Sequence, residues 1–265
     1  MYVDSHCHLS FPELAERLPE LRAAMAAAQV DRALCICTTL EEFSPLHALA
    51  VAHDNFWCSV GVHPDNEDVT EPTLEDLLQR AALPRVVAIG ETGLDYYRLN
   101  GRSVDDMAWQ RERFRVHIRA ARATGLPLVV HTRSASEDTV AILREEGAGA
   151  ARGVFHCFTE TQAVADAALE LGFLISFSGI LTFRNAEALR DVARRVPLER
   201  CLIETDSPYL APMPFRGKTN QPAYVPYVAA ELARLKDLPV ETVAEATSRN
   251  FERLFGVPVG GGRVS

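Results

Sequence analysis

The strongest constraint on this chain is an alternation that runs from one end to the other. Eight short runs rich in β-branched, aromatic and cysteine side chains read as strands: "YVDSH", "RALCICT", "FWCSVGVH", "VVAIGE", "LPLVVH", "GVFHCF", "FLISFSG" and "CLIETD". Helical spacing of apolar residues fills segments between most of them, over 14–28, 41–53, 105–124, 137–146, 161–171 and 185–196. Strands that alternate with helices pair in parallel through right-handed crossovers. Eight such strands in 265 residues predict an α/β protein closed into a single (β/α)8 TIM barrel. An open doubly wound sheet is the competing arrangement, but no Gly-rich phosphate turn follows the first strand. Two further helices, over 224–235 and 240–254, complete one domain spanning 1–257, and 258–265 is expected to be a flexible tail.

Composition removes several classes of function. No run of about 18 apolar residues occurs, so no membrane-spanning helix is expected. The opening residues lack the basic and apolar segments of a signal peptide, and the expectation is a cytoplasmic protein. The six cysteines form no C-x-x-C pair and sit mostly inside apolar runs. They read as small buried hydrophobes in a reducing compartment, with no disulfide-linked partner. A net charge of −9 argues against coating a nucleic acid non-specifically, since that draws on Lys and Arg. A local basic rim around an acidic pocket is still compatible with it.

In a barrel of this kind the C-terminal strand ends face the active site. The polar residues of this sequence gather there: His6 and His8 at the end of the first strand, His63 after the third, Glu91 after the fourth, His131 after the fifth, His156 after the sixth and Asp206 after the eighth. His6 and His8 share a strand face by alternation, while Cys7 points away. Each residue alone has a structural reading, as a carbonyl cap or a turn former. Together, imidazoles and carboxylates at the same end of six strands suit a divalent metal site. His47, His53 and His117 fall in helical segments, where a solvated or packed histidine is expected.

The stretches "YVDSHCHL", "GETGLDYY", "PLVVHTRSASED", "HCFT" and "IETDSP" followed by "RGKTNQP" resemble the TatD family of metal-dependent deoxyribonucleases, within the amidohydrolase-like barrels. The resemblance covers nearly the whole chain. Ser10 and Cys201 depart from it, standing where the family often has an acidic or amide residue and a larger aliphatic one. It implies that His6, His8, Glu91 and Asp206 hold one divalent ion and that Glu91, His131 and His156 hold a second. The ions would be Zn²⁺, Mg²⁺ or Mn²⁺, two per subunit, with Glu91 bridging them. The bridging role is consistent with the lysines: only Lys218 and Lys236 occur, neither at a strand end, so no carboxylated lysine is available there.

Paired ions about 3.5–4 Å apart can activate water and stabilise the attacking and leaving oxygens of an in-line displacement. Asp206 is the candidate for orienting the attacking water and taking its proton, and His63 for contacting the phosphate or the developing charge, a role that does not require it to bind metal. Asp4, on the face of His6 and His8, is either a hydrogen-bonded support for them or a buried group tied to backbone. The family implies phosphodiester hydrolysis in DNA from a 3′ end, with single-stranded DNA or 3′ ends as the partner. Arg133, Arg216, Lys218 and Asn220 are candidate phosphate contacts, with Arg98 and Arg184 extending the rim. Tyr96, Tyr97, Phe183 and Tyr209 are candidate stacking groups. A barrel hydrolase of a small-molecule amide or ester is the alternative enzyme, because the same ions polarise a carbonyl. A metal-binding barrel without turnover is the alternative outside catalysis.

Overall fold

The structure is a computed structural model and describes residues 1–147 and 150–258. Most of the expected tail, 259–265, lies outside the described residues. Among those described, the strands are β1 (Tyr2–Cys7), β2 (Val30–Cys35), β3 (Phe56–Val60), β4 (Val86–Asp95), β5 (Leu128–Arg133), β6 (Gly153–Phe155), β7 (Leu174–Phe177) and β8 (Cys201–Ile203). They form one eight-stranded sheet in the order of the sequence, and the pairs from β3 to β7 are parallel. After β8 the chain returns to the first strand: Asp206 N–H donates to His6 O and His8 N–H to Ser207 O, each at 2.9 Å. This is the (β/α)8 barrel expected from the alternation.

The helices are α1 (Pro12–Ala15), α2 (Leu18–Ala27), α3 (Phe43–Ala52), α4 (Leu74–Ala81), α5 (Ala108–Thr124), α6 (Ser136–Gly147), α7 (Gln162–Glu170), α8 (Glu187–Arg195), α9 (Val225–Lys236) and α10 (Val240–Phe255). The expected segment 14–28 is broken into α1 and α2. The helix absent from the sequence reading is α4. Its start is fixed by a capping box in which the Thr73 hydroxyl accepts from Asp76 N–H and the Asp76 carboxylate accepts from Thr73 N–H. α5 and α10 end on glycines in the left-handed conformation, Gly125 at φ 74° and Gly256 at φ 69°.

The described chain divides into two compact units: residues 1–34 with those from 176 onward, and residues 35–175. The first joins both ends of the sequence. Inside it, Ser5 Oγ donates to Ile203 O at 3.0 Å, and the fully buried Asp4 accepts from Thr205 N–H at 2.9 Å. The second is built on β3–β6 and α5, with Val60, Ile89, Phe114, Leu128, Val130 and Phe155 fully buried.

β4 is irregular, and its glycines show why. Ile89 pairs with Leu128, yet Thr92 pairs with Val130, so three steps along β4 match two along β5. Such a bulge re-aims side chains next to functional sites. A Cβ on Gly90 would lie 2.7 Å from Val129 O, and one on Gly93 only 1.9 Å from His131 O. The "GETG" stretch thus needs glycine on either side of Glu91 for the strands to approach.

Candidate metal centre

The bulge presents Glu91, 3% exposed, to three histidines of the same unit. His63 lies just beyond β3, its N–H bonded to Thr38 O at 2.9 Å. His131 stands within β5, and His156 follows β6 with its N–H on Val130 O at 3.0 Å. Their ring nitrogens meet a single carboxylate oxygen. Glu91 Oε1 lies 2.8 Å from His156 Nε2, 3.2 Å from His63 Nε2 and 3.3 Å from His131 Nδ1. The carboxylate is buried while the His63 and His131 side chains remain 19% and 17% exposed, so the cluster opens on its imidazole side.

A second cluster lies in the unit formed by the chain ends. His6 Nε2 and His8 Nε2 are 3.3 Å apart, and each is 3.4 Å from Asp206 Oδ1. Strand alternation points both rings one way, and the backbone bonds across the β8–β1 seam bring Asp206 beside them. Asp206 takes a left-handed φ of 56°, a conformation Asp tolerates better than most residues.

The donor chemistry fits a divalent ion in both clusters. A tetrahedral shell with bonds of about 2.0–2.1 Å has edges of roughly 3.3–3.4 Å between donor atoms. The His6–His8–Asp206 triangle, at 3.3, 3.4 and 3.4 Å, has the dimensions of one face of such a shell. In the other cluster the ligand atoms of His63, Glu91 and His131 all lie within 4.8 Å of one another. Hence His63 has the same reach to Glu91 as the expected ligand His131.

Several supporting residues were not singled out by sequence. His131 Nε2 donates to Asp95 Oδ2 at 2.9 Å, leaving Nδ1 directed at Glu91. Burial alone would lower the His131 pKa, but hydrogen bonds to Asp95 and Glu91 outweigh it and hold it above the ordinary value. Burial would likewise raise Asp95, yet its bond to His131 keeps that carboxyl below its usual range. Alternation offered a signal, because Asp95 is four residues from Glu91 and shares its face.

The His63 segment is braced from α5. His117, fully buried, accepts Val62 N–H on Nε2 at 3.0 Å and donates from Nδ1 to Arg113 O at 2.8 Å. It is the packed histidine expected of a helical segment. Burial pushes its pKa down to about 4. Arg113 donates to His63 O and Asn66 O, each at 2.8 Å, and pairs with Glu71.

Asp4 bears out the backbone-tied reading. It accepts from His6 N–H, Thr205 N–H and the Thr205 hydroxyl, and burial pushes its carboxyl up to about 8.

The expected substrate contacts divide. Arg133 stacks its guanidinium over the exposed Tyr97 ring at 3.6 Å, and Arg216 stacks over Phe183 at 3.8 Å. Lys218 Nζ lies 5.8 Å from the Phe215 ring, and Tyr209 is exposed. Asn220 is a correction. It is fully buried, donates to Thr205 O at 2.8 Å and Tyr209 O at 2.6 Å, and accepts from Gln221 N–H at 2.9 Å. It pins the loop after β8 and has no face for a ligand. Tyr96 is a second correction, being buried with its hydroxyl donated to Asp138 at 2.7 Å. The cysteines are free thiols, with Cys37 and Cys201 buried and pushed up to about 12 by desolvation.

No described helix is long and apolar enough to cross a membrane. Comparison with known proteins agrees with the donor clusters. The family model of TatD-related DNases matches residues 3–256. An Escherichia coli K12 protein named uncharacterized metal-dependent hydrolase YcfH is 50% identical over 259 residues, 96% of each chain. A Citrobacter rodentium protein named 3′-5′ ssDNA/RNA exonuclease TatD is 33% identical over 260 residues, 96% of this chain and 97% of that one. The crystal structure of YjjV, a TatD homologue from E. coli K12, superposes with a TM-score of 0.87 at 29% identity, over 97% of this chain and 98% of that one. Organophosphorus hydrolase from Deinococcus radiodurans, at 15% identity and a TM-score of 0.63 over 96% of this chain and 92% of that one, shares the fold alone. The chain therefore belongs to the TatD-related DNase family and is a metal-dependent hydrolase.

Proposed function

We propose that this barrel domain, residues 1–257, is a 3′-5′ exonuclease acting on single-stranded DNA, and that His6, His8, Glu91, His131, His156 and Asp206 hold two divalent ions. The observation that carries this reading is the convergence of three imidazole nitrogens on Glu91 Oε1, at 2.8, 3.2 and 3.3 Å. A bound pair of ions supplies activated water and neutralises charge developing on the phosphoryl oxygens. The chain's own residues do the rest. Asp206 takes the proton of the attacking water as its oxygen bonds to phosphorus and the bridging P–O bond breaks, and the departing ester oxygen takes up a proton in turn. Glu91 fixes the spacing of the donor set, and His63, its Nδ1 held by Asp65 N–H, stands beside that carboxylate to meet the charge developing on the phosphate.

Arg133, Arg216 and Lys218 bind backbone phosphates. Both arginines sit over aromatic rings, an arrangement suited to a single strand, whose splayed bases stack while its phosphates meet cations. The Citrobacter relative's printed activity supports the direction of attack. Six free thiols suit a cytoplasmic setting.

The test is digestion of 3′-labelled and 5′-labelled oligonucleotides with Mn²⁺, Mg²⁺ or Zn²⁺, comparing wild type with Glu91→Gln. Expected are immediate release of the 3′ label, dependence on the metal, and at least a 100-fold loss in the variant. Turnover of cyclic amides or carboxylic esters with intact DNA would overturn the proposal.

A further inference from the structure

Two aromatic rings stand beside the His6–His8–Asp206 cluster, within the unit formed by the chain ends. Phe11 precedes Pro12, which keeps it extended, at φ −68° and ψ 142°. Its carbonyl accepts from Leu14 N–H at 2.9 Å and Ala15 N–H at 2.8 Å as α1 begins. From this fixed mount its ring stacks on the His8 imidazole, with centroids 4.6 Å apart and planes inclined by 19°. Tyr209 is held through its backbone on both sides. Its N–H donates to Asp206 O at 3.0 Å, and its carbonyl accepts from the Asn220 side chain at 2.6 Å. The Tyr209 ring stands at 73° to that of Phe11, with centroids 6.4 Å apart, yet the residue keeps 54% of its surface exposed.

The two rings thus make a corner whose walls are in place before anything binds, so a planar group resting on Tyr209 pays little for ordering it. Burial, with the charges of Glu13 and Asp206 adding to it, holds the phenol above its ordinary pKa, so the ring carries no negative charge against a phosphodiester. A ring face accepts any base, because every base has a π-face. Within a single strand an inner base has a neighbour on each side, whereas the last base has one face free. Each ring is also three residues from a member of the His6–His8–Asp206 cluster. A phosphate drawn to that cluster leaves its own nucleotide's base within reach of the corner. A paired end must fray before its base can reach the ring.

We propose, on the exonuclease reading, that Phe11 and Tyr209 form the subsite for the 3′-terminal nucleobase, with Tyr209 stacking on its free face and Phe11 closing the corner. The test compares two 5′-fluorescein single strands, alike except that one ends in thymidine and the other in an abasic deoxyribose with the same 3′ hydroxyl. Affinity is read by anisotropy with Mn²⁺ in the slow Glu91→Gln enzyme. The base-bearing end should bind about fivefold more tightly or better. Glu91→Gln/Tyr209→Ala should bind the two ends alike, and Glu91→Gln/Tyr209→Phe, which keeps the ring, should restore the preference. Both strands meet the same metal centre, so their ratio is blind to any disturbance there. An abasic residue in the middle of the strand should weaken binding equally with and without the Tyr209 ring. Equal affinities for the two ends, no binding of either, a preference that survives in the alanine variant or fails in the phenylalanine one, or a Tyr209 dependence that follows the mid-strand abasic residue would each overturn the proposal. A Tyr209-dependent preference at the end, without release of the 3′ nucleotide by wild type, would instead sink the exonuclease reading alone.

Discussion

A histidine that ligates through one ring nitrogen needs the other held, and Asp95 does this for His131 through a 2.9 Å bond. The carboxylate fixes the tautomer, stops ring rotation and raises ligand basicity. Asp95→Asn keeps the shape but loses the charge, so divalent-ion affinity should fall by about 10–100-fold. Competition with a chromophoric chelator measures this without turnover, and unchanged affinity would remove Asp95 from the centre's support. His117 makes a different residue-scale prediction. Its folded pKa of about 4 lies below the 6.5 of a free histidine. Between those values the unfolded chain binds a proton that the native state does not, so stability rises with pH. The contribution is fully present above pH about 6.5 and is lost as pH falls toward 4, roughly 3 kcal/mol in all. Urea midpoints across that window should slope upward in wild type. His117→Gln, which still offers Val62 an acceptor, should flatten that part of the slope; superimposable slopes would refute the assignment.

At the scale of elements, the approach of β4 to β5 makes the sharpest demand on sequence. Alanine at Gly93 would bring Cβ to 1.9 Å from a backbone oxygen at φ +131°, and backbone cannot move aside as a side chain can. Gly101→Ala has a positive φ of 84° but nothing within 4 Å, so it carries only the left-handed penalty of about 1–2 kcal/mol. Gly93→Ala should therefore fail to fold or melt far below Gly101→Ala in thermal unfolding, and similar midpoints would contradict the close approach. The pair also marks what sequence could disclose. All eight strands were legible, because each is a compact apolar run and α/β alternation is a local signal. The bulge at Gly90 and Glu91 was not, since it depends on how near another strand comes. α4 escaped because it spans only eight residues and follows a polar stretch, its capping box closing on Asp76 rather than the usual Glu or Gln. Asn220 misled for a related reason. A polar residue beside Lys218 in a loop reads as surface, and only the fold shows it turned inward to hold Tyr209 and Thr205.

For the whole molecule, a formal charge of −9 and a nucleic-acid substrate pull in opposite directions. A protein that grips many phosphates needs a broad basic field, and this one proposes just three cations for the task, Arg133, Arg216 and Lys218. Each phosphate neutralised on a single strand contributes about −0.7 to the slope of log affinity against log salt, so three contacts give a slope near −2. The dependence should therefore be shallow beside that of a protein with six to ten contacts. Bound divalent ions add local positive charge at the donor clusters, so the slope should steepen when Mn²⁺ is present. Glu91→Gln supplies a slow enzyme in which binding of a fluorescent single-stranded oligonucleotide can be followed by anisotropy between 25 and 200 mM salt, roughly the range in which counterion release dominates. Replacing Arg133 or Arg216 with Ala should each reduce the slope by about 0.7 and weaken all sequences alike, since phosphate contacts carry no base information. If neither substitution moves the slope, the arginines stacked on Tyr97 and Phe183 serve their aromatic partners alone, and strand binding must draw on other charges.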